Sequence, residues 1–156
     1  KNGVDLIIIE TMIDLNEALA AVEGAKKAAH EILIACTLSF KEDGITVMGN
    51  RADKFGKYLI DAGCDLIGAN CSVGSDSMIK ITEKIRNANP DALLLIQPNA
   101  GVPSFIDGMT IFNETPEMMA ENFKEILNYN ISIAGACCGS TPEHIRKIFA
   151  IVKKRN

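Results

Sequence analysis

The sequence predicts an α/β fold built from parallel strand–helix units, and two features lead to this expectation. Five short apolar runs occur along the 156 residues, and each is followed by a polar turn and then by apolar residues at helical spacing. The apolar runs also lack in/out alternation, which is typical of parallel strands covered on both faces. Strands that alternate with helices in this way form parallel βα units.

The five predicted strands span residues 4–9, 32–38, 65–69, 92–96 and 131–134. Five units in 156 residues average about 31 residues each, and eight such units would need about 250, the usual size of a closed (β/α)8 barrel. The sequence therefore holds either five-eighths of a TIM-type barrel or one complete open sheet. No linker or internal domain boundary is visible, so residues 1–156 are treated as one unit.

Each predicted helix begins with a recognisable capping signal. The signals are Asp14 with Glu17, Asn50 with Asp53, Ser75, Thr115 followed by Pro116, and Ser140 or Thr141 followed by Pro142. The longest irregular stretches, residues 41–50 and 98–115, both follow strand ends, where parallel βα folds keep their active sites.

The composition excludes several classes of function. The formal net charge is −4, and there is no basic cluster of the kind that binds nucleic acid. No apolar stretch approaches the roughly 18 residues of a membrane span. The five cysteines are an odd number without the dense spacing of a secreted disulfide scaffold. We therefore expect a cytoplasmic protein that binds neither nucleic acid nor membranes. The first residue is not methionine, and the chain is expected to be part of something longer.

Three cysteines stand at predicted strand ends. Cys137 and Cys138 are adjacent and bracketed by glycines, and Cys71 follows the third strand. Because the carboxyl ends of parallel strands share one face, three thiolates there suit zinc with its fourth position open. The alternative is that each is a small buried apolar residue, which is the interpretation preferred for Cys36 and Cys64.

Other polar side chains follow the same strand ends. Glu10 follows an apolar strand, where a substrate ammonium or a salt bridge to a lysine or arginine would offset the cost of burial. Substrate binding and a turn-forming or capping role are equally open for four further strand-end residues, Ser39, Asn70, Gln97 and Asn99. His144 lies beside the cysteine pair but is not expected to bind the metal, because a catalytic zinc needs a free position.

Four motifs, in order, resemble those of the homocysteine S-methyltransferase family. The residues at 135–145 read Gly-Ala-Cys-Cys-Gly-Ser-Thr-Pro-Glu-His-Ile, with Ala136 where the family usually has glycine. Ile9-Glu10-Thr11 resembles the family's Glu-Thr strand end, and residues 68–71 its Gly-x-Asn-Cys. Residues 98–101 resemble its Pro-Asn-Ala-Gly. Members of this family are zinc-containing barrels that methylate a thiol.

The resemblance implies a (β/α)8 barrel of which this chain supplies the last five units. It also implies that zinc is bound by Cys71, Cys137 and Cys138, and that Glu10 receives the amino group of homocysteine. Ser39, Asn70 and Asn99 are the further substrate-binding candidates. Without the missing barrel strands, the chain is expected to associate with itself. The chain alone is also expected to be inactive.

The implied reaction is methyl transfer to homocysteine, giving methionine. The sequence carries no corrin, folate or phosphate motif, so the methyl donor must come from elsewhere. Methylcobalamin on another domain or protein, as in a corrinoid-dependent methionine synthase, is the preferred donor. A betaine- or S-methylmethionine-type enzyme and a non-catalytic, zinc-stapled barrel remain alternatives. A Schiff-base aldolase would need a strand-end lysine, and a dithiol redox protein would need Cys-x-x-Cys, and neither occurs here.

Overall fold

The protein is a five-stranded parallel sheet with helices, seen in a computed structural model that describes residues 3–29 and 31–155. The sheet order is β1-β2-β3-β4-β7, and β5 and β6 form a separate hairpin. The strands are β1 (Leu6–Met12), β2 (Leu33–Leu38), β3 (Leu66–Gly74), β4 (Leu93–Asn99), β5 (Ser104–Ile106), β6 (Met109–Ile111) and β7 (Ile133–Ala134). This topology confirms the predicted α/β class.

In the described ranges, four helices lie between successive strands of the sheet, and the fifth follows the last strand. They are α1 (Leu15–Ala28), α2 (Phe55–Asp61), α3 (Ser75–Ala88), α4 (Pro116–Ile126) and α5 (Pro142–Arg155), with a 3-10 turn at Leu127–Tyr129. Asp14 caps α1 by accepting hydrogen bonds from two backbone N–H groups, and Thr115 caps α4. Both caps confirm the sequence prediction. None of the helices in the described ranges is long and apolar enough to cross a membrane.

Of the predicted helix starts, the one at Asn50 is displaced in the structure, and the one at Ser75 is confirmed with a different cap. The second helix begins at Phe55 and not after Asn50, because the Asn50 side chain accepts a hydrogen bond from the Leu15 backbone and so holds the loop against α1. Ser75 is the first residue of α3 and Gly74 is its cap. The stretch 98–115, predicted to be irregular, contains the end of β4 and the β5–β6 hairpin.

The helices cover one face of the sheet. That face carries Ile34, Ile67, Leu94 and their neighbours, which form the main core with residues from all five helices. The opposite face, called here the inner face, holds a smaller cluster made only of strand residues in the described part of the chain. Its members are Ala35, Leu66 and Leu95, with Leu6 and Ile133 partly buried.

The expectation that both faces of every strand are covered is therefore wrong for part of the inner face. Leu33 and Leu93, at the amino ends of β2 and β4, are each 52% exposed, and Ile8 on the edge strand β1 is 43% exposed. The centre of the face is buried because side chains of neighbouring strands pack against one another, whereas its margins are not covered by any described residue. Apolar runs alone do not distinguish a covered strand from one whose inner face is open.

Candidate metal centre

The structure brings Cys71, Cys137 and Cys138 together at the carboxyl ends of β3 and β7. Their sulfur atoms all lie within 4.8 Å of one another. The Cys71 and Cys138 sulfurs are 3.8 Å apart, and those of Cys137 and Cys138 are 4.0 Å apart. In a tetrahedral zinc site with bonds of about 2.3 Å, neighbouring sulfurs are about 3.8 Å apart. The three thiols therefore fit a zinc ion that keeps one position open.

Cys71 reaches the cluster through an unusual backbone conformation. Its φ is 61°, and that of the next residue, Ser72, is 65°, in the left-handed region that residues other than glycine rarely adopt. The pairing of β3 with β4 is interrupted between Asn70 and Gly74 at the same place. Strain of this kind persists only where surrounding contacts hold it, and it is common at functional sites.

The loop that carries Cys137 and Cys138 is held by the Pro-Asn-Ala segment at the end of β4. The Cys137 N–H donates to the Pro98 carbonyl at 2.7 Å, and the Ala100 N–H donates to the Cys138 carbonyl at 2.9 Å. The Cys138 N–H donates to the Asn99 side-chain oxygen at 3.1 Å. The Pro-Asn-Ala-Gly motif and the Cys-Cys motif thus form one substructure, in which Asn99 positions the loop that carries Cys137 and Cys138.

Asn70 connects three strands to the cluster and is fully buried. Its Oδ1 accepts from the Thr11 N–H at 2.8 Å and from the Thr37 hydroxyl at 2.7 Å. Its Nδ2 donates to the Thr11 hydroxyl at 2.7 Å and lies 3.8 Å from the Cys137 sulfur. The Ser39 hydroxyl donates to the Asn70 carbonyl at 2.8 Å. Ser39, Asn70 and Asn99 thus hold the metal loops, and their contact with a substrate stays a prediction.

Glu10 lies on the inner face and is exposed. Ile9 pairs with Cys36 on the helix-covered face, so strand alternation turns Glu10 the other way. The expected burial of the Glu10 carboxylate is wrong for the described chain, because β1 lies at the edge of its five-stranded sheet and the side chain is open to solvent. Glu10 makes no salt bridge with any residue in the described ranges. Thr11, which follows it, has a φ of 62° and is fixed by Asn70.

His144 is buried and occupied by contacts away from the cluster. Its Nδ1 lies 3.0 Å from the Thr141 N–H, and its Nε2 lies 3.0 Å from the Glu114 carbonyl. The Glu114 carboxylate is itself buried and accepts hydrogen bonds from the Ser75 N–H and hydroxyl at the start of α3. Sequence reasoning missed Glu114, although its position directly before the Thr115 cap was a possible signal.

Burial and crowding raise the pKa values of the clustered thiols. The pKa of Cys137 is raised to about 11, first by burial and then by the neighbouring Cys71, and that of Cys138 is raised for the same reasons. Without a cation both groups are protonated near neutral pH. Burial also raises the pKa of Cys36 to about 12 and that of Cys64 to about 11. Both residues lie in the helix-side core, which confirms that they are buried core thiols.

Comparison with known proteins agrees with this geometry. A family model described as homocysteine S-methyltransferase matches residues 1–152. The chain belongs to the homocysteine S-methyltransferase family. It is 29% identical over 161 residues to a methionine synthase of Mycobacterium leprae (strain TN), with 99% of the chain covered. It is 30% identical over 157 residues to a methionine synthase of Mycobacterium tuberculosis (strain ATCC 25618 / H37Rv), with 96% covered. The chain spans only 13% of the length of each relative.

Solved structures show the fold of this family member. The apo form of the homocysteine methyltransferase MmuM from Escherichia coli superposes with a TM-score of 0.75 at 17% identity, over 95% of this chain and 50% of that one. The metallated form gives a TM-score of 0.76 at 17% identity, over 96% and 46% of the two chains. The five βα units are therefore part of a TIM-type barrel, as predicted.

Proposed function

We propose that this chain is the zinc- and homocysteine-binding part of a methyltransferase that forms methionine. The observation that carries the proposal is the spacing of the Cys71, Cys137 and Cys138 sulfurs, which suits tetrahedral coordination with one open position. Family membership supports the same reaction. Zinc, when bound, keeps a coordinated thiol ionised near neutral pH.

The reaction is a displacement at a methyl carbon. The homocysteine sulfur, having lost its proton to solvent, forms a bond to the methyl carbon while the bond from methyl to donor breaks. The donor leaves with that electron pair. The chain's own residues orient the sulfur: the three cysteines define where it binds, and Asn70 and Asn99 hold the loops that carry them.

Glu10 is proposed to bind the substrate ammonium. Its carboxylate is exposed on the inner face, directly before Thr11, which Asn70 ties to the cluster. A carboxylate without a salt bridge among the described residues can receive an ammonium without first losing another partner. Ser39, Asn70 and Asn99 are further candidates for substrate contact, and all three are buried in the described chain.

The methyl donor is proposed to be methylcobalamin carried by another domain or protein. The relatives named methionine synthase support this, because the chain matches only 13% of their length and the rest of each is available for other tasks. Homocysteine and a corrinoid-binding domain are the partners that follow from this proposal.

The metal assignment is tested by elemental analysis of purified variants. Cys71→Ala, Cys137→Ala and Cys138→Ala should each lose zinc, whereas Cys64→Ala, which changes a core thiol outside the cluster, should retain it. The assignment is wrong if all three cluster variants keep one zinc per chain.

The substrate assignment is tested by calorimetry with homocysteine on zinc-loaded protein. Glu10→Gln should weaken binding about tenfold, because a charge-assisted hydrogen bond becomes a neutral one, and should leave zinc in place. Glu125→Gln, an exposed change on α4, is the matched control. Unchanged affinity in Glu10→Gln would remove Glu10 from the site.

A further inference from the structure

The first turn of α3 is capped by a residue from a distant part of the chain. The N-cap of α3 is Gly74, which has no side chain to accept a hydrogen bond from the helix. The Glu114 carboxylate, 39 positions away from Ser75, accepts instead from the Ser75 N–H at 3.1 Å and from the Ser75 hydroxyl. A carboxylate is favoured at this end of a helix, because the first backbone N–H groups are unpaired and carry partial positive charge.

The Glu114 side chain is enclosed at this position. The residue is only 8% exposed, and burial of a carboxylate is costly unless hydrogen bonds compensate for it. The Ser75 hydroxyl that bonds to it also accepts from the Asn122 amide at 2.8 Å. A Cβ atom on Gly74 would lie 3.0 Å from Glu114 Oε2, so glycine at this position allows the carboxylate to approach the helix closely.

The backbone of Glu114 is bonded to the loop that carries the cysteine pair. Its N–H donates to the Ala100 carbonyl at 3.0 Å, and the Ala100 N–H donates to the Cys138 carbonyl at 2.9 Å. Its carbonyl lies 3.0 Å from Nε2 of His144, in the first turn of the helix that follows the cysteine pair. Because the Thr141 N–H donates to Nδ1 of this ring, Nε2 carries the proton and donates to Glu114.

The Glu114 side chain also holds the segment that carries Cys71. The left-handed φ values of Cys71 and Ser72, 61° and 65°, persist only where the surrounding contacts hold them. Before them, Asn70 is fully buried and bonded to neighbouring strands. After them, the pairing of β3 with β4 resumes just before Ser75, which Glu114 holds. The strained turn therefore lies between two fixed points.

We propose that Glu114 is a positioning residue of the metal centre, which fixes Cys71 relative to the loop of Cys137 and Cys138. This inference rests on the proposed function, in which zinc occupies the three-thiol cluster. The thiols come from two separate segments, and Glu114 is bonded to both. Its side chain holds the segment of Cys71, and its backbone is joined to the other loop through Ala100. Glu114 acts through the ligands and is not itself one of them.

The test measures the metal site separately from stability. Glu114→Ala removes both acceptor oxygens, and Glu114→Met removes them while filling the space, in case the alanine variant does not fold. In variants shown to be folded by circular dichroism, zinc affinity from chelator competition should fall about 10–100-fold. When Co²⁺ replaces zinc, the thiolate-to-cobalt absorption should weaken, because fewer thiolates reach the ion. Glu114→Gln keeps an acceptor for the Ser75 N–H and should stay within about threefold of the unaltered protein.

A matched control separates positioning from a general loss of stability. Val22→Ala changes a fully buried core residue of α1, so it should unfold more readily but retain the zinc affinity and cobalt absorption of the unaltered protein. Zinc affinity in the alanine and methionine variants equal to that of Val22→Ala overturns the inference, as does a loss in Glu114→Gln as large as in Glu114→Met. If the unaltered protein binds no zinc, the proposed function fails and this inference fails with it.

Discussion

Replacement of Asn70 by alanine should both destabilise the protein and weaken its metal site. The substitution removes the acceptor of the Thr11 N–H and of the Thr37 hydroxyl, and Thr37 is fully buried. An unsatisfied buried donor costs about 1–3 kcal/mol, so loss of both hydrogen bonds should cost about 2–6 kcal/mol of unfolding free energy, and a small cavity would add to that loss. Urea unfolding of the metal-free protein measures this loss.

The effect on zinc arises from the other end of the side chain. Asn70 Nδ2 lies 3.8 Å from the Cys137 sulfur, and loss of a group that orients a metal ligand commonly costs about 10–100-fold in affinity. Competition with a chromophoric chelator measures it. Asn70→Asp keeps an oxygen that can accept from the Thr11 N–H and the Thr37 hydroxyl but places a second oxygen toward the Cys137 sulfur. Zinc affinity should therefore fall in this variant even though the acceptor for both of those hydrogen bonds is kept.

The matched control for both variants is Asn128→Ala, an exposed asparagine in the 3-10 turn. It should change unfolding free energy by less than about 0.5 kcal/mol. Asn70→Ala with stability and zinc affinity both equal to those of the control would refute the reasoning that this residue ties the strands to the cluster.

Three further expectations concern packing, pH and solution state. Gly68→Ala should prevent folding or lower the unfolding free energy by more than about 4 kcal/mol, because the new Cβ would lie 1.7 Å from the Leu95 carbonyl oxygen. The control Gly24→Ala has open space around it and should be neutral or stabilising, and circular dichroism melts compare the two variants. Zinc affinity should rise with pH between about 6.5 and 8.5, since binding releases protons from thiols whose pKa values are raised, and a flat profile in chelator competition would contradict this. The isolated chain should self-associate or unfold readily, because the edges of β1 and β7 are open and Leu33 and Leu93 are exposed. A stable, monodisperse monomer in light scattering would contradict this expectation.

Local signals in the sequence were sufficient for the order of elements. The apolar runs predicted all five strands of the sheet, and Asp14 and Thr115 marked their helix starts correctly, because capping depends on backbone groups within three residues. The helix start predicted at Asn50 was wrong because the Asn50 side chain accepts a hydrogen bond from the backbone of Leu15, 35 residues away, and not from its own helix. The β5–β6 hairpin was missed because its few residues carry no strong pattern.

The same division applies to the site. Parallel strands put all carboxyl ends on one face, so topology alone predicted that Cys71 would meet Cys137 and Cys138, although Cys71 and Cys138 are 67 positions apart in the chain. Only the tertiary structure decided what each neighbouring polar group does. In the structure, Asn70 and Asn99 bond to the segments that carry the three cysteines, Glu10 is exposed, and the Gln97 oxygen is buried with no partner among the described residues. Those outcomes depend on distances between strands far apart in sequence, and residue type does not specify such distances.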